Sequence, residues 1–142
     1  MRKYLLALAL VAAPAMAAGD IVMHRDPGCG CCEAWAAQVA KAFGQSVKIV
    51  DEPNRAGLHK RLGMKPGLAS CHTALIDGIA FEGHVPIADI KRVLATRPVG
   101  VTGLAVPGMP IGSPGMEVPG RLADKFTVVA FGPGKASVFA QR

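Results

Sequence analysis

Cys29-Gly30-Cys31-Cys32 puts three thiols within four residues, and Cys71, followed directly by His72, is the fourth and last cysteine of the chain. Thiolates are soft ligands that favour Cu(I), zinc and iron–sulfur clusters. They are also the nucleophiles of thiol–disulfide exchange. Cys29 and Cys32 have the Cys-x-x-Cys spacing of redox dithiols, but such a pair has no need of Cys31. Successive helical residues point about 100° apart, so on a helix Cys32 faces the core and Cys31 points elsewhere. Three thiols fanned around a helix start suit a multidentate metal site, to which Cys71-His72 would add ligands from another element. Adjacent strand residues point to opposite faces, so Cys71 and His72 can share a metal only if the backbone there is a loop. Gly67-Leu68-Ala69-Ser70 makes such a loop plausible.

The elements around these residues follow from the pattern. Ile21-Val22-Met23-His24 reads as a strand, and Asp26-Pro27-Gly28 turns the chain. A helix from near Cys31 to Phe43 ends at Gly44, with Cys32, Ala36, Val39, Ala40 and Phe43 on one face. The thiols thus sit where unpaired amides and the helix dipole favour the thiolate. Ser46 to Val50 reads as a second, parallel strand, and Ala56 to Leu62 as a short helix closed by Gly63. Asp77-Gly78 between two apolar runs signals a hairpin. Pro86 to Ala95 reads as a helix, and Phe126–Phe131 and Ala136–Phe139 as two closing strands.

The chain opens with Met1-Arg2-Lys3, an apolar run from Tyr4 to Ala13, and Ala15-Met16-Ala17, the pattern of a secretory signal peptide cleaved after Ala17. The run is too short to span a bilayer, so the expected product is a soluble exported protein without membrane insertion. About 125 of the 142 residues then remain, one domain with room for its own core. The formal charge of +6, less Arg2 and Lys3, is scattered and not interleaved with aromatics, which argues against a nucleic-acid partner.

Cys29-Gly30-Cys31-Cys32, Ala69-Ser70-Cys71-His72-Thr73-Ala74, Glu82-Gly83-His84-Val85-Pro86, and Gly103 to Pro110 followed by Gly112-Ser113-Pro114-Gly115-Met116-Glu117 occur in that order. Together they resemble the CopG-type periplasmic copper resistance proteins, over roughly Ile21 to Phe139. The resemblance implies a single thioredoxin-like domain at 18–142 after a signal peptide at 1–17. That is an α/β fold with a mixed central sheet flanked by helices. It implies a periplasmic location, with copper ions and other periplasmic copper-handling proteins as partners. It also implies a copper site on Cys29, Cys31, Cys32 and Cys71. Where thioredoxin-like folds usually carry a cis-proline facing the Cys-x-x-Cys helix, this chain has Ser70-Cys71-His72.

Cysteines crowded at one helix start fit several Cu(I) ions bridged by shared thiolates, since four thiolates on one ion would concentrate negative charge. His72 is a candidate ligand or a hydrogen-bonding neighbour of one. His84 reads first as a cap for the following helix and second as a ligand. A histidine ligand would let Cu(II) as well as Cu(I) be held. His24 reads as a satisfied strand residue and His59 as a surface residue. Val99 to Gly120 has four prolines, six glycines and one charge, and long loops of this kind are usually functional. It is expected to wrap the domain near the cysteines, with Met109 and Met116 as gap fillers or thioether ligands, Met116 being the better candidate. Trp35 is expected to shield the site, and Glu33 suits the helix dipole.

Two function classes follow. One is an exported copper-binding protein that sequesters Cu(I), or acts as a copper oxidoreductase through a Cys29–Cys32 dithiol/disulfide. The other is a metal-free thiol–disulfide oxidoreductase, for which Cys31 would be dispensable. Structural zinc fits less well, because the spacing lacks paired knuckles.

Overall fold

The computed structural model describes residues 19–142, so the expected signal peptide at 1–17 lies outside the described residues. Strand β1 (Ile21–Arg25) alternates buried and half-buried positions, setting Ile21 and Met23 into the core. A turn leads into helix α1 (Gly30–Phe43), which buries Cys32, Trp35, Ala36 and Val39. The helix stops at Gly44, whose φ of 64° is the left-handed cap that glycine adopts without strain. Strand β2 (Val47–Asp51) pairs parallel to β1. Helix α2 (Ala56–Arg61) and a short 3-10 turn at Pro66–Leu68 then lead to β3 (His72–Ile76) and β4 (Ile79–Glu82). These two form the expected hairpin about Asp77-Gly78, both at positive φ.

Helix α3 (Ile87–Thr96) follows. Its buried Asp89 accepts from the Arg142 and Arg92 guanidinium groups, which ties the chain's C-terminal end to the helix. Strand β5 (Gly103–Ala105) pairs parallel to β4, and β6 (Thr127–Gly132) and β7 (Lys135–Gln141) complete a single seven-stranded sheet, in the order β2-β1-β3-β4-β5-β6-β7. The sheet is mixed, with β1 parallel to β2 and β3 antiparallel to β1 and β4, which is the α/β class with a mixed central sheet expected from the sequence. No helix of the described residues is long and apolar enough to cross a membrane.

One expectation needs correction. The stretch from Val99 to Gly120 is not a continuous loop, because Gly103–Ala105 forms β5 inside the sheet, fully buried between β4 and β6. Three residues are too few for a periodic signal, and their strand character comes from the neighbours that receive them.

Candidate metal centre

Two backbones bring the cysteines together. The first is the β1–α1 turn, where Cys29 is the N-cap of α1 but offers no side-chain cap bond. The Arg25 guanidinium, on β1, donates to the Cys29 carbonyl at 3.0 Å, to Glu33 Oε1 at 2.7 Å and to Asp51 Oδ1 at 2.8 Å. Glu33 thus pairs with Arg25 as well as sitting in the helix's first turn. The second backbone is the Ser70-Cys71 segment before β3. The Asp26 amide donates to the Cys71 carbonyl at 3.0 Å, so the two turns are stitched directly. The Arg55 guanidinium spans them as well, donating to Asp26 Oδ1 at 2.6 Å and the Ser70 carbonyl at 2.7 Å.

Cys29, Cys31, Cys32 and Cys71 consequently converge, their sulfurs all within 4.8 Å of one another. Cys29 and Cys32 are joined by a disulfide, while Cys31 and Cys71 are free and half-buried. Cys31 Sγ lies 3.4 Å from Cys29 Sγ, and Cys32 is wholly buried. A disulfide and a pair of thiolate ligands are alternative states of the same two residues, so the four-sulfur donor set exists only in the reduced protein.

Cys71 belongs to a second group, with His72 and His84, whose candidate donor atoms also lie within 4.8 Å of one another. Cys71 precedes β3 and His72 begins it, so the strand rule that would send them to opposite faces does not apply. His84 Nδ1 is 2.8 Å from the Pro114 carbonyl, which can only accept. Nδ1 therefore carries the proton, and the Nε2 lone pair of the neutral ring sits 3.2 Å from Cys71 Sγ. A histidine whose far N–H is held by a backbone carbonyl has the orientation found at metal ligands. His84 is thus not the helix cap anticipated from sequence: it is fully buried and turned to the cysteine.

Burial sets the protonation states on this side. It pushes the Cys71 thiol up to about 11, with the neighbouring Cys31 adding to the effect and the Ser70 hydroxyl opposing it. Burial, then the His84 and Arg55 charges, hold His72 down to about 3. His84 is lowered too, mainly by burial. Both imidazoles are neutral near pH 7, the form that ligates metal. His72 Nδ1 lies 3.6 Å from Cys71 Sγ, and its buried Nε2 has no hydrogen-bond partner among the described residues.

The long segment after β5 closes the site. Pro114 receives His84, and the Gly108 carbonyl accepts from Ser70 Oγ at 2.6 Å. Gly115 sits at φ 83°, where a Cβ would come within 2.7 Å of the Cys31 carbonyl and 2.8 Å of the Trp35 amide nitrogen. The expectation that this segment wraps the domain beside the cysteines therefore holds. Met116 follows Gly115 and is half-buried, whereas Met109 is largely exposed. Trp35 is fully buried, its ring 4.6 Å from that of His72 and its indole N–H bonded to the Val85 carbonyl.

His24 lies, as expected, on β1, its Nδ1 2.7 Å from Glu52 Oε2. His59 is not a free surface residue: its Nε2 lies 3.1 Å from Thr73 Oγ1 and 3.2 Å from Glu82 Oε2. Glu82 is fully buried and accepts from the Ser70 amide and the Thr73 hydroxyl, and burial raises its carboxyl to about 7. Arg55, Glu82 and His59 form a polar frame behind Cys71, and Arg25 one behind Cys29, that sequence reasoning missed. The one available signal was Glu82 ending an otherwise apolar hairpin strand.

Comparison with known proteins places this geometry. Residues 68–116, which span Cys71, His72, His84 and Met116, match a sequence family described as "Protein of unknown function, DUF411". Two solved structures of copper resistance protein CopG, Form 1 and Form 2, are each 42% identical to the chain and cover 87% of it. The chain covers 96% and 97% of theirs, with TM-scores of 0.76 and 0.75. The chain belongs to the CopG copper resistance family. No curated protein matches the chain significantly. Membership gives the cysteine convergence a copper-related role, and the mixed α/β fold is shared with the CopG structures.

Proposed function

We propose that this protein is exported to the periplasm by a signal peptide at 1–17 and that its domain at 18–142 handles copper as cargo. Reduced Cys29, Cys31, Cys32 and Cys71 hold Cu(I) as a thiolate-bridged cluster of several ions. His84 and His72 serve as nitrogen ligands on the Cys71 side, and Met116 as a thioether at the cover. The observation that supports this best is that Cys71 belongs to both donor groups, the four-sulfur group and the Cys71–His72–His84 group. A thiolate shared in this way can bridge two ions, which spreads its negative charge. Nitrogen donors beside the sulfurs would also allow Cu(II) to be held.

The Cys29–Cys32 pair adds a redox step to this reading. Two thiols closing to a disulfide release two electrons and two protons, and the electrons reduce two Cu(II) to two Cu(I). The test is anaerobic titration of the reduced protein with Cu(I) against a chromophoric chelator. Saturation above one copper per chain supports the cluster, and saturation at one sinks it.

The disulfide itself favours a second reading, a metal-free thiol–disulfide oxidoreductase. Cys31→Ser separates the two: it would spare disulfide exchange with a reduced protein substrate and impair a copper cluster.

A further inference from the structure

We propose that Arg55 is a positioning residue, a clamp whose guanidinium holds the Cys71 segment against the turn that carries Cys29, Cys31 and Cys32. Its side chain is only 6% exposed, although it comes from the start of α2 and bears no sulfur-site chemistry of its own. The two terminal nitrogens reach different segments. Nη1 donates to Asp26 Oδ1 at 2.6 Å and to the Glu52 carbonyl at 3.3 Å, and Nη2 donates to the Ser70 carbonyl at 2.7 Å. Asp26 is the residue whose carbonyl receives the Cys29 amide and whose amide binds the Cys71 carbonyl. Ser70 adjoins Cys71 directly.

One rigid fork therefore fixes the separation of the two backbones that must bring sulfurs together. Only arginine presents two such donors in a plane; a lysine ammonium keeps the charge but cannot reproduce the paired geometry. Arg25 performs the other half of the task by holding the Cys29 carbonyl to β2, but it does not reach the Cys71 segment. The role of the clamp in copper binding rests on the copper reading above, while its geometric role does not.

The test separates the two. In a Cys29→Ser/Cys32→Ser background the remaining thiols are Cys31 and Cys71, whose sulfurs lie within 4.8 Å. The thiol oxidant diamide couples them: one S–S bond forms, and the diamide N=N bond takes up the two electrons and two protons. Arg55→Lys and Arg55→Met should each slow this crosslink by about fivefold or more, because a small displacement of reacting groups is costly in rate. Folding of each variant is checked by Trp35 fluorescence, and the milder Arg55→Lys carries the test if Arg55→Met does not fold. A crosslinking rate like the parent's in Arg55→Lys overturns the clamp, even where Arg55→Met is slow, because charge alone would then suffice. With all four cysteines restored, Cu(I) affinity should fall about tenfold in Arg55→Lys. If the unsubstituted protein binds no copper, the copper reading fails and the crosslink still decides the clamp.

Discussion

The sulfur site has two sides built on different principles. On one, Cys29, Cys31 and Cys32 ride on a single helix start, half-exposed apart from Cys32. Their proximity is local and follows from spacing in the chain. On the other, Cys71 meets Ser70, His72 and His84, and His84 is held in turn by Pro114, from the segment that follows β5. That side is assembled by long-range contacts and is largely buried. The helix start carries the Cys29–Cys32 disulfide, while the buried side holds neutral imidazoles and a thiol raised to about 11 by burial. On the function proposed above, electron exchange falls to the helix start and ion retention to the Cys71 side.

Cys71→Ser breaks the comparison most severely, because it removes the one donor common to both groups. Cu(I) affinity should fall about a thousandfold, or about 4 kcal/mol, and clearly further than in Cys31→Ser. Equal losses, measured by chelator competition, would show that the two sides are equivalent.

The next effect is on the stability of the metal-free protein. His72 titrates near 6.5 when unfolded and near 3 in the fold. Its contribution is therefore complete above 6.5 and is lost as pH falls toward 3. Glu82 acts in the opposite sense, since its raised carboxyl burdens the fold increasingly from 4.5 up to about 7. Between 4.5 and 6.5 Glu82 opposes His72 and the two other histidines that burial lowers, His84 and His59, and below 4.5 the histidine loss runs on without that opposition. Urea unfolding should show a shallow pH dependence above 4.5 and a steep decline below it. His72→Phe should remove a decline on the order of 5 kcal/mol between pH 6.5 and 3; an equally steep variant would contradict the assignment.

Removing the oriented imidazole is expected to matter less than removing the shared thiol. His84→Phe should weaken Cu(I) binding about 10- to 100-fold, with the disulfide potential of Cys29–Cys32 changed little. A variant with the affinity of the parent would make His84 only a hydrogen-bond partner of Cys71. The smallest effect belongs to the cover: Met116→Leu should weaken copper retention about threefold, and Met109→Leu, on an exposed side chain, should leave it unchanged. If both are silent, the two methionines only fill space.

The same contrast explains what could be read from the chain. The β1–α1 unit was legible because apolar alternation, a glycine stop and the cysteine spacing all lie within about two dozen residues. The hairpin was legible through Asp77-Gly78. His84 was misread because its proximity to Pro86 suggested a local role, whereas its partner carbonyl, Pro114, lies thirty residues on. His59 reads as one more surface residue beside Lys60-Arg61, and only the fold brings Glu82 and Thr73 to it. Arg55 carries no periodic or motif signal, so its clamp is visible only where both backbones it joins are in view.

The most direct test of the central claim is X-ray absorption at the copper edge on the fully reduced protein loaded with Cu(I). Sulfur-dominated coordination with a short copper–copper scattering path, lost in Cys71→Ser, is the expected result. Isolated copper without that path, or a spectrum indifferent to Cys71→Ser, would contradict a cluster gathered from both sides of the site.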